Sequence, residues 1–181
     1  MKNKTKKNIS FYFIISSIII VIDQISKIYM ESIFLDADGE IIRRPIKVIG
    51  EEFFRLTLVY NPGVAFGIRL GGQYILSSIS LLASIAIIIY MIKLHEENKR
   101  PLEVFAFSFV LGGAFGNFID RVLYGKVIDF LWFDFPDFIM ETWPVFNVAD
   151  SFVTIGMFVL AYQYLVLDTI ENKKEEKNKS V

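Results

Sequence analysis

Charged side chains inside apolar segments are the feature of this sequence most suited to chemistry. A charge within a membrane-length apolar helix costs about 2.5–3.5 kcal/mol on insertion scales, so such residues usually mark a function. Most of them here are carboxylates, which can act as general acids and bases. The set comprises Asp23 and Lys27 in the first apolar segment, Asp120 and Arg121 at the end of the third, Asp129 just beyond it, and Asp150 at the start of the fourth.

Four of these charges allow two interpretations. Asp23 and Lys27 are four residues apart, so they share one face of a helix and can pair. Asp120 adjoins Arg121, which suggests a second ion pair. In the first interpretation, these four residues form ion pairs that hold a helix bundle together. In the second, they order a functional site. The sequence supports both equally.

Asp129 and Asp150 are different, because neither has an evident cation of its own. Two carboxylates held close in a low-dielectric site cannot both ionise easily, so one keeps a proton and the pair can act as base and acid on a water molecule. This is the chemistry of aspartic proteases. The 181-residue chain has no cysteine and a single histidine, His95, which excludes a thiol nucleophile and leaves little for a histidine-based triad or metal site.

Amide side chains and glycines near these charges fit a substrate cleft. Asn61 and Asn147 could hydrogen-bond a peptide backbone, and Asn117 lies within the third apolar segment. Gly113, one of a pair of glycines in that segment, would let a helix or a substrate approach closely. Each residue also has a plain structural explanation, as a turn cap for an asparagine and as close helix packing for a glycine.

Four long apolar segments must position these residues. They span about 9–33, 73–94, 102–123 and 146–167. At 1.5 Å per residue, about 20 helical residues cross a ~30 Å hydrocarbon core. A chain that is 54% hydrophobic has too little polar surface to cover four such helices in a soluble protein. We therefore expect one membrane domain over residues 1–181, an all-α bundle of four transmembrane helices.

Lysine and arginine counts orient this bundle. Eleven lie in the N-terminal tail, the 93–100 loop and the C-terminal tail. Seven lie on the opposite side, five of those in one long loop. Both termini are therefore expected in the cytoplasm, and the six charged residues then all fall near the outer face. A proton-coupled transporter or channel is the main alternative in another class, but a relay needs polar groups spread across the membrane.

The two external connections have patterns of their own. Residue types alternate over 53–60 as in a half-buried strand, and 46–49 could pair with it. The second connection is rich in Phe and Trp, which suits the membrane–water interface. The conformation of its 134–144 stretch stays open. The lysine-rich tail at 171–181 is expected to be mobile.

Five motifs, in this order, are similar to those of the lipoprotein signal peptidases (signal peptidase II), which are bacterial aspartic endopeptidases. They are DQISK at 23–27, NPGVAF at 61–66, GGAFGNFIDR at 112–121, VIDF at 127–130 and FNVADS at 146–151. The resemblance implies that Asp129 and Asp150 are the catalytic pair, with Asp120 in a supporting role and as the main rival for the first catalytic position. It also implies a set of residues that line or order the site, namely Asp23, Lys27, Asn61, Gly113, Asn117, Asp120, Arg121, Asn147 and Ala149.

The same resemblance implies a substrate and a location. Family members cut the signal peptide from diacylglyceryl-modified prolipoproteins, just before the lipidated cysteine of the lipobox. They carry an extramembrane β-cradle between the first two helices, here at about 40–70, and globomycin-type cyclic peptides block them. We accordingly expect a monomer in the bacterial inner membrane, in contact with membrane lipids, without a cofactor or metal and without nucleic acid. A non-catalytic lipoprotein-binding chaperone is a third interpretation.

Overall fold

Four long helices form most of the structure, a computed structural model that describes residues 8–51, 53–65, 68–69, 73–97, 100–135, 143–170 and 178. All four are long and apolar enough to cross a membrane, so the predicted four-helix membrane fold is confirmed. The predicted mobile tail at 171–181 lies outside the described residues apart from residue 178, and 136–142 lies outside them too. The helices are α1 (Ile9–Phe34), α2 (Gln73–Glu97), α3 (Pro101–Tyr124) and α4 (Val148–Tyr162), the last continued by a π-helical segment, Gln163–Leu167.

Local sequence signals set the helix ends. Asn8 caps α1, because its side chain accepts a hydrogen bond from the Ser10 N–H. Pro101 opens α3, at a position where the missing N–H costs nothing. Gly125 ends α3 with a φ of +71°, a left-handed conformation that glycine adopts readily. The chain can therefore reverse directly from α3 into the strand that follows.

Glycines in α3 let the neighbouring helices approach closely. A Cβ added to Gly112 would lie 2.8 Å from the Cβ of Ile19 in α1. A Cβ added to Gly113 would clash with the carbonyl oxygen of Ala149 in α4. Small residues play this role at helix interfaces in membranes generally. Here they bring α1, α3 and α4 together at the level where the charged residues of the sequence lie.

A small antiparallel sheet packs against the end of α1. Its edge strand is β1 (Ile46–Ile49), paired with β2 (Phe54–Asn61) as the alternation in the sequence predicts. A separate short hairpin follows, formed by β3 (Val64–Ala65) and β4 (Ile68–Arg69). The third strand of the sheet is β5 (Val127–Phe133), which gives the order β1-β2-β5.

The strand β5 is not predicted by the sequence. It lies between α3 and α4, so the sheet combines strands from two connections, that between α1 and α2 and that between α3 and α4. The first four residues of β5 are all buried, so it lacks the two-residue alternation by which half-buried strands are recognised. Its register with β2 places Val59 opposite Asp129. One buried cluster holds the sheet on α1, and it consists of Met30, Phe34, Leu58, Ile128 and Phe130.

Candidate active site

Asp129 and Asp150, the predicted catalytic pair, both contact Asn147. Asp129 lies on β5 and is only 2% exposed. The Nδ2 of Asn147 donates a hydrogen bond to Asp129 Oδ1 at 2.7 Å. The backbone N–H of Asn147 donates to Asp150 Oδ2 at 3.2 Å. A single residue between β5 and α4 thus brings the two carboxylates together.

The same asparagine begins α4. Its Oδ1 accepts a hydrogen bond from the backbone N–H of Asp150 at 2.9 Å, while the Asp150 carboxylate accepts from the backbone N–H of Asn147. This reciprocal capping box satisfies two backbone donors that the start of a helix leaves without partners. It holds Asp150 in the first turn of α4, where the helix dipole interacts favourably with a negative charge.

Two further asparagines hold the second oxygen of each carboxylate. Asn61 Nδ2 donates to Asp129 Oδ2 at 3.1 Å, and Asn117 Nδ2 donates to Asp150 Oδ1 at 2.7 Å. Asn117 Oδ1 accepts in turn from Asn147 Nδ2 at 3.0 Å, so Asn117 and Asn147 are linked directly. All four carboxylate oxygens of the pair therefore accept a hydrogen bond from an amide.

Burial raises the pKa of Asp129 to about 6, and the negative charge of Asp150 acts in the same direction. The hydrogen bonds from Asn61 and Asn147 and the charge of Lys27 lower this pKa and offset part of the increase. A carboxyl group with such a pKa retains a proton at pH values where an ordinary aspartate is fully ionised. The arrangement can therefore present one protonated and one ionised carboxyl group.

Behind the pair lies a buried ionic group, the support network, which consists of Asp23, Lys27 and Asp120. Lys27 Nζ lies 2.7 Å from Asp23 Oδ2 and 2.8 Å from Asp120 Oδ2, and each of the three residues is at most 1% exposed. Lys27 Nζ also donates to Asn117 Oδ1 at 3.1 Å. The support network is therefore connected to the Asp129–Asp150 pair through Asn117.

Each carboxylate of the support network holds the backbone just before one member of the pair. Asp23 Oδ1 accepts a hydrogen bond from the N–H of Ala149, the residue before Asp150, at 2.9 Å. Asp120 Oδ2 accepts one from the N–H of Ile128, the residue before Asp129, at 3.1 Å. The two interpretations left open by the sequence therefore describe one arrangement, since the same carboxylates tie helices together and position the pair.

The ion pair between Asp120 and Arg121 suggested by the sequence is replaced by one between Asp120 and Lys27. Successive side chains of an α-helix point about 100° apart, so adjacent residues face different neighbours. Asp120 is fully buried toward α1 and β5, whereas Arg121 is half-buried and donates to the carbonyl oxygen of Asn117 at 3.4 Å. The positive charge of Arg121 still lies close enough to interact with Asp150, Asp120 and Asp129.

Gly113 and Ala149 contribute through the backbone. Ala149 is fully buried, its N–H is bound by Asp23, and its carbonyl oxygen lies against Gly113. Within the described ranges, no group of three or more His, Cys, Asp or Glu side chains is placed to hold a metal ion. All the residues that the sequence selected around Asp129 and Asp150 thus lie in one region, where α1, α3, α4 and the sheet meet.

The fold defines the class of this protein as a multi-pass membrane protein, and the solved structures it resembles are bacterial membrane enzymes. A bacterial membrane enzyme solved by the in meso method at 2.3 Å resolution is 32% identical, with a TM-score of 0.72 over 94% of this chain and 95% of that chain. A second bacterial membrane enzyme, solved by the same method at 1.9 Å resolution, is 29% identical, with a TM-score of 0.68 over 89% of this chain and 96% of that chain.

Within that class, the chain belongs to the signal peptidase (SPase) II family, whose profile matches residues 15–166. The lipoprotein signal peptidase of Brevibacillus brevis is 40% identical over 150 residues, which cover 83% of this chain and 91% of the relative. That of Cellvibrio japonicus is 32% identical over 164 residues, which cover 88% and 89%. The protein is therefore a membrane peptidase, and this decides against the transporter and chaperone alternatives.

Proposed function

We propose that this chain is an aspartic endopeptidase that removes signal peptides from prolipoproteins, with Asp129 and Asp150 as its catalytic residues. The observation that carries the proposal is the joint contact of both carboxylates with Asn147 in a buried setting. Its relatives are named lipoprotein signal peptidases. The substrate is a diacylglyceryl-modified prolipoprotein, cut just before the lipidated cysteine of the lipobox.

In the proposed mechanism, Asp129 is the group that supplies a proton and Asp150 is the group that accepts one. Burial and the neighbouring charge of Asp150 favour the neutral form of Asp129, whose pKa is raised to about 6. Asp150 lies in the first turn of α4, close to its positive end. Asp129 is therefore the general acid and Asp150 the general base for the first step.

The reaction then proceeds through a tetrahedral intermediate. Asp150 takes a proton from water, the water oxygen bonds to the carbonyl carbon, and Asp129 gives its proton to the carbonyl oxygen. In the second step Asp150 gives its new proton to the leaving nitrogen, the C–N bond breaks, and Asp129 recovers a proton from a hydroxyl of the intermediate. Asn61, Asn117 and Asn147 keep both carboxyl groups in place throughout, which avoids reorganisation during the reaction.

The membrane supplies both the orientation and the route of entry. The excess of lysine and arginine in the tails and the 93–100 loop supports cytoplasmic termini and a site near the outer face of the bacterial inner membrane. A signal helix enters sideways from the bilayer, and its diacylglyceryl chains stay in lipid and hold the cysteine at the level of the site. Globomycin-type cyclic peptides compete for this position. The enzyme acts as a monomer.

The test is a pair of substitutions that keep shape and remove acidity, Asp129→Asn and Asp150→Asn. Each variant is assayed on a lipidated precursor in detergent, and loss of general acid–base catalysis is expected to lower kcat by about 10²–10⁴-fold. The matched control is Asp36→Asn, because Asp36 is an exposed aspartate whose oxygen caps a turn and lies away from the pair. Full activity in either test variant would refute the assignment.

A further inference from the structure

Gln24 lies at the contact between α1 and α3, next to the support network. Its Nε2 is 2.9 Å from Asp120 Oδ1, 3.1 Å from the carbonyl oxygen of Gly116, and 3.2 Å from Asp23 Oδ2. The side chain is half-buried. Gln24 stands inside the DQISK motif and adjoins Asp23, but it is not among the residues that the sequence predicts for the site.

The amide of Gln24 donates hydrogen bonds to buried carboxylates that have few other donors. The support network has two carboxylates but one ammonium group, and Lys27 contacts the Oδ2 atoms of both Asp23 and Asp120. Gln24 is the donor that the structure shows on Asp120 Oδ1. A buried carboxylate oxygen without a hydrogen-bond donor is destabilised, because it has lost its contact with water. The hydrogen bond from Gln24 therefore stabilises Asp120 in its present position.

The effect of Gln24 reaches the catalytic pair through two backbone hydrogen bonds. Asp120, to which Gln24 donates, holds the N–H of Ile128, and Asp23, to which it also donates, holds the N–H of Ala149. Those residues directly precede Asp129 and Asp150. Gln24 thus contacts both carboxylates that fix the backbone beside the pair.

We propose that Gln24 is a positioning residue for the peptidase reaction, which sets the placement of Asp129 relative to Asp150 through Asp120 and Asp23. This inference rests on the proposed function. It predicts an effect on kcat rather than on KM, because Gln24 acts on the placement of the catalytic groups and not on the substrate.

The substitution Gln24→Glu tests the role of the amide hydrogen while keeping size and shape. Ionised, the new carboxylate cannot donate and adds negative charge beside Asp23 and Asp120, with Lys27 the cation in contact with both. Protonated, it can donate to Asp120 as the amide does. We expect kcat at pH 8 to fall about tenfold, which corresponds to the loss of one hydrogen bond to a charged group, with KM unchanged. The ratio of variant to wild-type kcat is expected to rise toward one at the lower pH where the new carboxyl group takes up a proton and can donate again.

Two further variants complete the experiment. Gln24→Met removes the donor at every pH, so its kcat is expected to stay low without recovery in acid. Ser32→Ala is the matched control on α1, since it removes the hydrogen bond from an exposed serine to Tyr29 O and is expected to leave kcat unchanged. If Gln24→Met does not fold, the separate effects of Gln24→Glu on kcat and on KM at pH 8 decide the question.

Two outcomes would overturn the proposal. One is a wild-type kcat for Gln24→Glu at pH 8, and the other is a loss that appears in KM with kcat unchanged. The Asp129→Asn and Asp150→Asn variants separate this failure from failure of the proposed function. If those two are inactive while Gln24→Glu is normal, only the positioning role is lost; if either is fully active, the catalytic assignment itself is wrong.

Discussion

Two buried polar regions near opposite ends of α3 use their carboxylates differently. Near the start of α3, the Glu103 cluster joins three helices: Glu103 is fully buried and accepts hydrogen bonds from the hydroxyl of Tyr90 at 2.9 Å and from that of Tyr164. Arg100 adds a charged contact to Glu103 at 3.4 Å and a salt bridge to Asp168 at 3.0 Å. Each of these carboxylates therefore has a cation against it.

Near the end of α3, the proposed catalytic pair, Asp129 and Asp150, is held by neutral groups. In the part of the chain that the structure describes, the hydrogen bonds to Asp129 and Asp150 come from amides, while Lys27 is bound to Asp23 and Asp120. A bound cation fixes a carboxylate in its ionised form, whereas an amide donor leaves it able to take up a proton. The proposed assignment of Asp129 and Asp150 therefore rests on the partners of these carboxylates and not on burial alone.

The largest effect is expected for Lys27, the cation of the support network, which also contacts Asn117 beside the proposed catalytic pair. The substitution Lys27→Met leaves two buried carboxylates without their cation, and removing one partner of a buried ion pair costs about 3–5 kcal/mol. We expect a much lower melting temperature in detergent and no measurable activity. The matched control is Lys47→Met, because Lys47 is 57% exposed and its pair with Glu51 is of the surface kind, which contributes about 0–1 kcal/mol. Equal stability of the two variants would contradict this account of the support network.

Asn147→Ala is expected to have the next largest effect, because it removes the contacts that the side chain makes with Asp129, Asn117 and the start of α4. Loss of the hydrogen bond to the Asp129 carboxylate, together with those to Asn117 and to the backbone N–H of Asp150, corresponds to a fall in kcat of about 100-fold or more. Asn8→Ala is a control with the same chemistry, since Asn8 also caps a helix, α1, but lies on its exposed end. That control is expected to lose about 1 kcal/mol of stability and no activity. Similar kcat values for the two variants would argue against a special role for Asn147.

The dependence of kcat/KM on pH should show the pKa of the member of the pair that must be protonated. If Asp129 must carry a proton, kcat/KM is expected to fall about tenfold per pH unit above the pKa of Asp129, which is raised to about 6. Asn61→Ala removes a hydrogen bond that lowers this pKa, so the falling limb should move to higher pH. If the fall of kcat/KM in Asn61→Ala moves to lower pH or stays in place, a group other than Asp129 controls this fall.

The smallest effect on activity is expected in the Glu103 cluster. Glu103→Gln removes the charge but keeps the shape, so activity should stay within about twofold, as for a substitution remote from the reacting groups. The melting temperature should fall by several degrees, since hydrogen bonds to a charged group contribute about 1.5–3 kcal/mol. Asp129→Asn should show the reverse, with activity lost and stability kept. A large loss of activity in Glu103→Gln would remove the distinction between the two regions.

The sequence predicts the four helices and the residues of the site because both leave local signals. Long apolar runs mark the spans, and charges inside them are rare enough to stand out, as Asp23 and Asp150 do. The strand β5 could not be predicted from alternation, because its first half is buried on both faces. The pairing of Asp120 with Lys27 depends on how α1 packs against α3, which a helix sequence alone does not encode. Gln24 lies within the DQISK motif, but a single amide gives no signal until its neighbours in the structure are known.

The central claim is that Asp129 and Asp150 act as one unit on a water molecule, and a double-mutant cycle tests it most directly. The measurement is kcat on a lipidated precursor for Asp129→Asn, Asp150→Asn and the double variant in the same detergent. Residues that act as a unit are strongly non-additive, so each single substitution should cost nearly as much as both together. Losses that multiply independently in the double variant, or full activity in either single variant, would contradict the claim.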